Sequence, residues 1–484
     1  MPRLNMFNCH TGNTMNKTVL ATSLALGLAG CGLGSAANAQ PFKFAPDQQL
    51  FSDKKPVVAQ PLVPGPVQRV NTSIEENQNL SASGALDDGG YLVVWETTTP
   101  NSAVRNDFYL QRFDAEGKKV GAETLMALKV RIGRGSIAVL TDGSIVVAYV
   151  GSRNAQGELV NPNGAESGVF IQKFDASGAQ SLRETAVTRT RGPSITQEYA
   201  GVVALADGDF VVQWSSNGQP ASAQQRVFSA QRYKGEGYRS GSPIVFPAFD
   251  ARSGVVSYGV QPALDGAFLL YKVTNDPSGY GCFGAMSQST ASTIFHYDEH
   301  LVPRQILAPT HCASVLPLKD GHFMLFQAND AIGPYAQLID ANGALVGPQK
   351  PIAARTATRP ARLTDFAGRQ ALADGSYIVA WFPGYTRFKL QRYTGKGDPI
   401  GEPLEPGVLP QEILALADGD ALLAGYVVNP QDPLTAAEVY AQRLVNIDET
   451  SDPQKHWKRK LCQAQGKLLK GQVRKAFLDR CLSN

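Results

Sequence analysis

Cysteine is scarce in this chain, at six in 484 residues, and so are histidine and tryptophan, at six and four. A framework held chiefly by disulfides is therefore excluded. His296, His300, His311 and His322 crowd into one stretch, but without the spacing or convergence that closes a zinc site. Long apolar runs are missing after Ala29, so no membrane helix, which needs roughly 18 such residues, is expected beyond a leader. No hydrolase elbow, His-Glu-x-x-His pair, phosphate loop or dinucleotide fingerprint stands in a fitting context. The sialidase-type box Ser-x-Asp-x-Gly-x-x-Trp is absent too. No metal and no other cofactor is expected. Carboxylates gathered from distant loops remain compatible with glycan cleavage, which spacing alone does not reveal.

What the chain has is repetition. An Asp-Gly turn followed by an apolar strand begins at Asp88, Asp142, Asp207, Asp265, Asp320, Asp374 and Asp418, as in ALDDGGYLVVW and ALADGSYIVAW. Recurrence at this scale signals a repeat architecture. The third to fifth residues after each Asp are almost all apolar, such as Tyr91-Leu92-Val93, Phe210-Val211-Val212 and Tyr377-Ile378-Val379. Consecutive apolar positions mean that both faces of the strand are buried. A propeller blade meets that demand, because each small sheet lies between two others.

Three more strands surround this one. An inner strand precedes the turn, as in Ser136–Leu140. A third ends in a Gln-Arg-Phe-like signature, at Gln111-Arg112-Phe113, Gln172-Lys173-Phe174, Gln231-Arg232-Tyr233, Gln391-Arg392-Tyr393 and Gln442-Arg443-Leu444. A turn such as Asp175–Gly178 then leads to a fourth. The expected fold is all-β, a seven-bladed β-propeller with four-stranded blades. Two stacked β-sandwiches would explain neither the count of seven nor the seventh copy, which stops after its third strand near Asn446. The spare segment Val67–Thr72 is expected to complete blade seven and close the ring, removing exposed edges. The Asp-Gly pairs are read as suppliers of the positive φ that tight hairpins require.

The boundaries follow. Residues 1–39 read as a leader whose start is Met15, with Lys17 before the apolar run Val19–Ala29. Two endings compete. Leu28-Ala29-Gly30-Cys31 resembles a bacterial lipobox, which would make Cys31 a lipidation site, and Gly32 after it favours outer-membrane sorting in the lipoproteins it resembles. Ala37-Asn38-Ala39 would instead release a soluble protein starting at Gln40. Either way the chain is expected to be exported, periplasmic or held at the outer membrane. Residues 40–64, rich in Pro, Gln and Ala, read as a flexible linker, 65–450 as the propeller and 451–484 as a tail. Cys282, Cys312, Cys462 and Cys481 allow three pairings, of which proximity favours Cys282–Cys312 and Cys462–Cys481.

The tail holds the charge. From Lys455 onward nine Lys/Arg face one acid, Asp479, a formal +8 that leaves −5 for the rest of a chain totalling +3. Its sequence, LCQAQGKLLKGQVRKAFLDRCLSN, resembles the repeat of the phosphate-starvation-inducible PsiF family. Cys462, Leu469, Lys470, Gly471, Arg474, Ala476, Phe477, Cys481 and Leu482 carry the match. The resemblance covers about two dozen residues and implies an exported module without an assigned activity. A small disulfide-linked helical module, broken at Gly471, is expected there. The propeller itself resembles repeats of large exported bacterial proteins, a likeness that says little about function.

Strand alternation sends every Asp-Gly turn to one end of the ring and the variable loops to the other, where function is expected. Loops entering the inner strands carry Arg131, Arg134, Arg189, Arg191, Arg252, Arg355, Arg359 and Arg362, whose forks suit carboxylate, phosphate or sulfate groups. The long segment Lys272–Ser292, with Asn275, Asp276, Tyr280 and Cys282, is either a recognition element or a braced insertion. The expectation is an exported, envelope-anchored binding or scaffold protein for an envelope protein or an anionic glycan or lipid. The alternative is a glycan-active hydrolase or lyase. Nucleic acid is not an expected partner of an exported chain.

Overall fold

A computed structural model describes residues 60–446, except for 73–76, 99–106, 127–134, 154–158, 161–166, 190–195, 220–221, 246–248, 251–254, 264–265, 276–288, 299, 308–313, 320, 330–332, 353–365, 382–387, 417–418 and 428–437. These residues contain strands and turns and no helix. The first strand, β1 (Leu62–Arg69), belongs to the last sheet. Blade one is β2 (Asn77–Ala85), β3 (Tyr91–Thr98), β4 (Asp107–Phe113) and β5 (Lys119–Leu125). Blade two is β6 (Gly135–Val139), β7 (Ile145–Arg153), β9 (Ser167–Phe174) and β10 (Gln180–Arg189), with the two-residue β8 (Leu159–Val160) on β7. Blade three is β11 (Thr196–Ala204), β12 (Phe210–Gln219), β13 (Ser222–Tyr233) and β14 (Arg239–Val245), with β15 (Phe249–Asp250) on β13. Blade four is β16 (Val255–Pro262), β17 (Phe268–Asn275), β18 (Ser289–Tyr297) and β19 (Pro303–Leu307). Blade five is β20 (Ser314–Pro317), β21 (Phe323–Asn329), β22 (Gly333–Ile339) and β23 (Leu345–Pro351). Blade six is β24 (Phe366–Ala371), β25 (Tyr377–Trp381), β26 (Lys389–Tyr393) and β27 (Pro399–Leu404). Blade seven takes β28 (Val408–Ala415), β29 (Ala421–Val427) and β30 (Tyr440–Asn446) from the chain's later part and β1 from its beginning.

The expected seven-bladed propeller is thus present, and β1 closes it antiparallel to β30, with Leu62 opposite Asn446 and Arg69 opposite Tyr440. The closing strand starts at Leu62, inside the stretch read as linker. The short β8 and β15 are additions that the repeat pattern does not announce.

Burial explains the apolar runs. On β7, Ile145, Val147 and Tyr149 pack into a cluster with blade one, while Val146, Ala148 and Val150 pack into another with blade three. Successive side chains of a strand point to opposite faces, so each second strand feeds two interfaces. Seven such clusters occur among the described residues, one for each pair of adjacent blades, including the seam between blades seven and one.

The hairpins between first and second strands share one chemistry. Gly89, Gly143, Gly208, Gly266, Gly321, Gly375 and Gly419 all have φ between 68° and 85°, a region that costs glycine nothing and other residues much. The Asp before the Gly braces the turn, as when Ser144 N donates to Asp142 Oδ1 at 2.7 Å and Ser376 N to Asp374 Oδ1 at 3.0 Å.

Candidate functional site

At the turn end of blades one, two, three, six and seven, the signature cation of the third strand meets a carboxylate of its own blade's first hairpin. Arg112 donates to Asp88 Oδ2 and Arg232 to Asp207 Oδ2. Arg392 Nη2 donates to Asp374 Oδ2 at 2.6 Å, and Arg443 Nε to Asp420 Oδ2 at 2.7 Å. Lys173 Nζ stands 3.8 Å from Asp142 Oδ2. Some of these cations also reach the next blade, Lys173 Nζ donating to Gly235 O at 2.6 Å and Arg443 to Ala115 O. Burial pushes the Asp207 carboxyl up, the Arg232 guanidinium pulls it down, and burial prevails.

The signature glutamine has a separate task. A bulge interrupts the pairing of third and fourth strands in blades one, three and six. There Gln111, Gln231 and Gln391 Nε2 donate to the carbonyls of Gly121, Gly241 and Gly401 at 3.4, 3.2 and 3.0 Å. In blade seven, Gln442 Nε2 donates to Gly65 O of the closing strand at 2.8 Å. No hairpin can join β30 to β1, which come from distant parts of the chain, and side chains stand in for it. Gln60 N donates to Asn446 Oδ1 at 2.9 Å, and Arg392 Nη1 reaches Gln60 O at 2.5 Å and Asn446 Oδ1 at 2.6 Å. Sequence reasoning used the Gln-Arg-Phe signature to find strands and missed these roles, although an Asp-Gly turn and a later signature cation recur together in five of the repeats and were a signal for them.

Arg131, Arg134, Arg191, Arg252, Arg355, Arg359 and Arg362 fall outside the described residues, as do Cys31, Cys282, Cys312, Cys462 and Cys481. Arg189 is the last residue of β10, paired with Gly168, and its side chain is outside the description. His296 pairs with Leu269 as Arg112 pairs with Leu92, so it occupies the position of the signature cation in blade four, with its ring edge-on to Phe323 at 5.8 Å. Among the described residues no three His, Cys, Asp or Glu side chains gather as metal ligands.

Two features of the inner strands escaped the sequence reading. At the seam, the Ser83 hydroxyl of β2 donates to Glu412 Oε2 of β28. Burial pushes this carboxyl above its ordinary value of 4.5, and the Ser83 hydrogen bonds oppose the shift only in part. In blade three, Tyr199, Gly201, Gln213 and Ser215 share one sheet face, since Tyr199 lies opposite Ser215 and Gly201 opposite Gln213. That face looks towards blade four, because Val203 and Val211, which continue it, pack in the cluster between the two blades. A β-carbon on Gly201 would come within 2.5 Å of Tyr199 Oη and 2.9 Å of Gln213 Nε2. Both polar groups therefore rest over the bare glycine backbone.

No protein-family model and no curated protein matches the chain. Among solved structures, the α-L-arabinanase of Penicillium chrysogenum complexed with arabinobiose is 10% identical, with a TM-score of 0.40 over 80% of this chain and 99% of that one. The acylaminoacyl peptidase of Pyrococcus horikoshii is 10% identical, with a TM-score of 0.40 over 72% of this chain and 49% of that one. TolB from Acinetobacter baumannii is 12% identical, with a TM-score of 0.31 over 74% and 81%. Likenesses this distant say nothing of this chain's activity.

Proposed function

We propose that this protein is an exported, envelope-anchored binding or scaffold propeller, which recognises an envelope protein or anionic component through its loop end. The basic tail, similar to the PsiF repeat, adds a second contact, and two linked weak contacts give avidity without a deep pocket. One observation carries the reading. Charged side chains at the turn end are consumed in holding the ring, as with Asp88–Arg112, Asp374–Arg392 and Asp420–Arg443. Recognition then falls to the other end, where the connections differ greatly, from residues 330–332 in blade five to residues 276–288 in blade four.

The test is mild crosslinking in the native envelope, followed by isolation of the mature protein and of a version ending at Ile447. Mass spectrometry then identifies what co-purifies. A stoichiometric partner retained by both versions assigns recognition to the propeller, and one lost on truncation assigns it to the tail. If nothing co-purifies reproducibly, the reading fails and glycan hydrolysis becomes the next assay.

A further inference from the structure

Six blades join their third strand to their fourth by a hairpin at the turn end, closed by bonds such as Gly117 N to Asp114 O at 2.9 Å and Gly397 N to Thr394 O at 2.8 Å. Blade seven has two chain segments in place of that hairpin, because its third strand ends at Asn446 and its fourth begins at Leu62, directly opposite. Asn446 N donates to Asp420 Oδ1 beside the first hairpin at 2.8 Å, which fixes the end of the ring where this happens. Gln60 N donates to Asn446 Oδ1, and the buried Arg392 of blade six clamps both Gln60 O and Asn446 Oδ1. The segment bearing the leader therefore enters the ring, and the basic tail leaves it, at one braced point of the turn end.

That point limits what the tail can reach. Lys455, the first of its nine cations, lies nine residues beyond Asn446, within about 30 Å at full extension. Strands of seven or eight residues make blade seven about 25 Å tall, so Lys455 reaches the loop end only with that stretch drawn straight along the flank. Trp457 stands among Lys455, Lys458, Arg459 and Lys460. Cations with an interleaved aromatic side chain suit a phospholipid surface, where the charges meet phosphates and the ring beds at headgroup level. The turn end of the propeller is a poorer partner for them, since its carboxylates are already engaged. Arginines hold Asp88 and Asp374, and backbone amides of their own hairpins hold Asp114, Asp175 and Asp340. We propose that the turn end of the ring faces an anionic phospholipid surface, to which the cations of the tail hold it, and that the loop end is turned away. A single acyl chain binds a membrane only marginally, and a polybasic stretch is one of the second signals that make anchoring stable. An acyl group on Cys31 and the tail would both act on this one point of the ring. The orientation deepens the envelope-anchored reading, on which it rests, and leaves the loop end open to a partner.

The exported chain carrying Cys31→Ser, which takes no acyl group, is mixed with vesicles of phosphatidylcholine alone or with about one-third phosphatidylglycerol. Sedimentation is expected to show binding to the anionic vesicles only. Lys458→Gln, Arg459→Gln and Lys460→Gln together should weaken that binding at least about tenfold. Orientation is read with a dye on an azide-bearing amino acid in place of the exposed Lys396 at the turn end or the exposed Asp107 at the loop end. Nitroxide-bearing headgroups, which quench at short range, should quench the dye at Lys396 and spare the dye at Asp107. The proposal is overturned if the chain ignores anionic vesicles, if the triple variant binds as well as the parent, or if the dye at Asp107 is quenched as strongly as that at Lys396. Failure on vesicles together with a lower unfolding transition on removal of the tail would place the tail on the ring instead. Failure on vesicles beside a reproducible crosslinked protein sinks the lipid contact and leaves the binding-propeller reading intact.

Discussion

Arg112 and Arg232 occupy one position of the repeat, yet their energetics differ because their burial differs. The side chains of Arg112 and Asp88 are 36% and 51% exposed, whereas those of Arg232 and Asp209 are 1% and 7% exposed. An exposed pair contributes about 0–1 kcal/mol. Removing one member of a buried pair leaves an uncompensated charge and costs about 3–5 kcal/mol. Arg232→Ala should therefore cost several times as much as Arg112→Ala in urea unfolding, and equal losses would refute the distinction. Glu412 makes the opposite case. Its folded-state pKa lies above its unfolded one, so the fold is penalised in full above the folded value, and the penalty fades as pH falls towards 4.5. Glu412→Gln keeps an acceptor for Ser83 and removes the charge. It should raise the melting temperature by about 2 °C or more at neutral pH, with the gain shrinking as the buffer becomes acidic. A gain that grows on acidification would show that the buried carboxylate is stabilised rather than strained.

Among the elements, β1 has the most to hold. Without it β30 would present an unpaired edge, and exposed edges template aggregation. Removal of residues 1–59 should leave the unfolding transition nearly unchanged, since Gln60 and the strand after it remain. Removal through Arg69 takes away Leu62 of the blade six–seven cluster and the bonds of Gln60 and Gly65. That truncation should yield aggregates or a markedly lower transition, read by light scattering and circular dichroism, and an equally stable monomer would refute the closure argument. The strand's role was legible in the sequence because blade seven ran out of residues. Its start at Leu62 was not, since residues 62–64 fell in the stretch read as linker, and Pro64, Gly65 and Pro66 are tolerated only because the pairing is bulged between Pro64 and Val67. The bulges of the other fourth strands were equally hidden, because a bulge is a property of two strands and not of one.

For the whole molecule, the division of charge and the leader set expectations that the ring does not. A lipid-anchored protein should partition into the detergent phase of a cloud-point separation, and Cys31→Ser should move it to the aqueous phase. If both forms stay aqueous, cleavage follows Ala39 and the protein is soluble. Binding of the tail to anionic vesicles should fall steeply with salt and vanish in the version ending at Ile447, because exposed charges are screened within about 10 Å at 0.1 M salt. Salt-independent binding would point to apolar contacts instead.

By itself the sequence determined the number of blades, the strand order within them and the closing of the ring. These follow from short-range patterns, Asp-Gly turns and runs apolar on both faces, repeated often enough to be counted. Its silence on the site has the same cause, for loops that vary between repeats leave no period to read. Only the tertiary structure decided which Asp meets which Arg, that Glu412 lies against Ser83 329 residues away, and that Tyr199 and Gln213 meet over Gly201. Such contacts depend on how neighbouring strands and blades come together, and that registry is written in packing between distant segments rather than in any one of them.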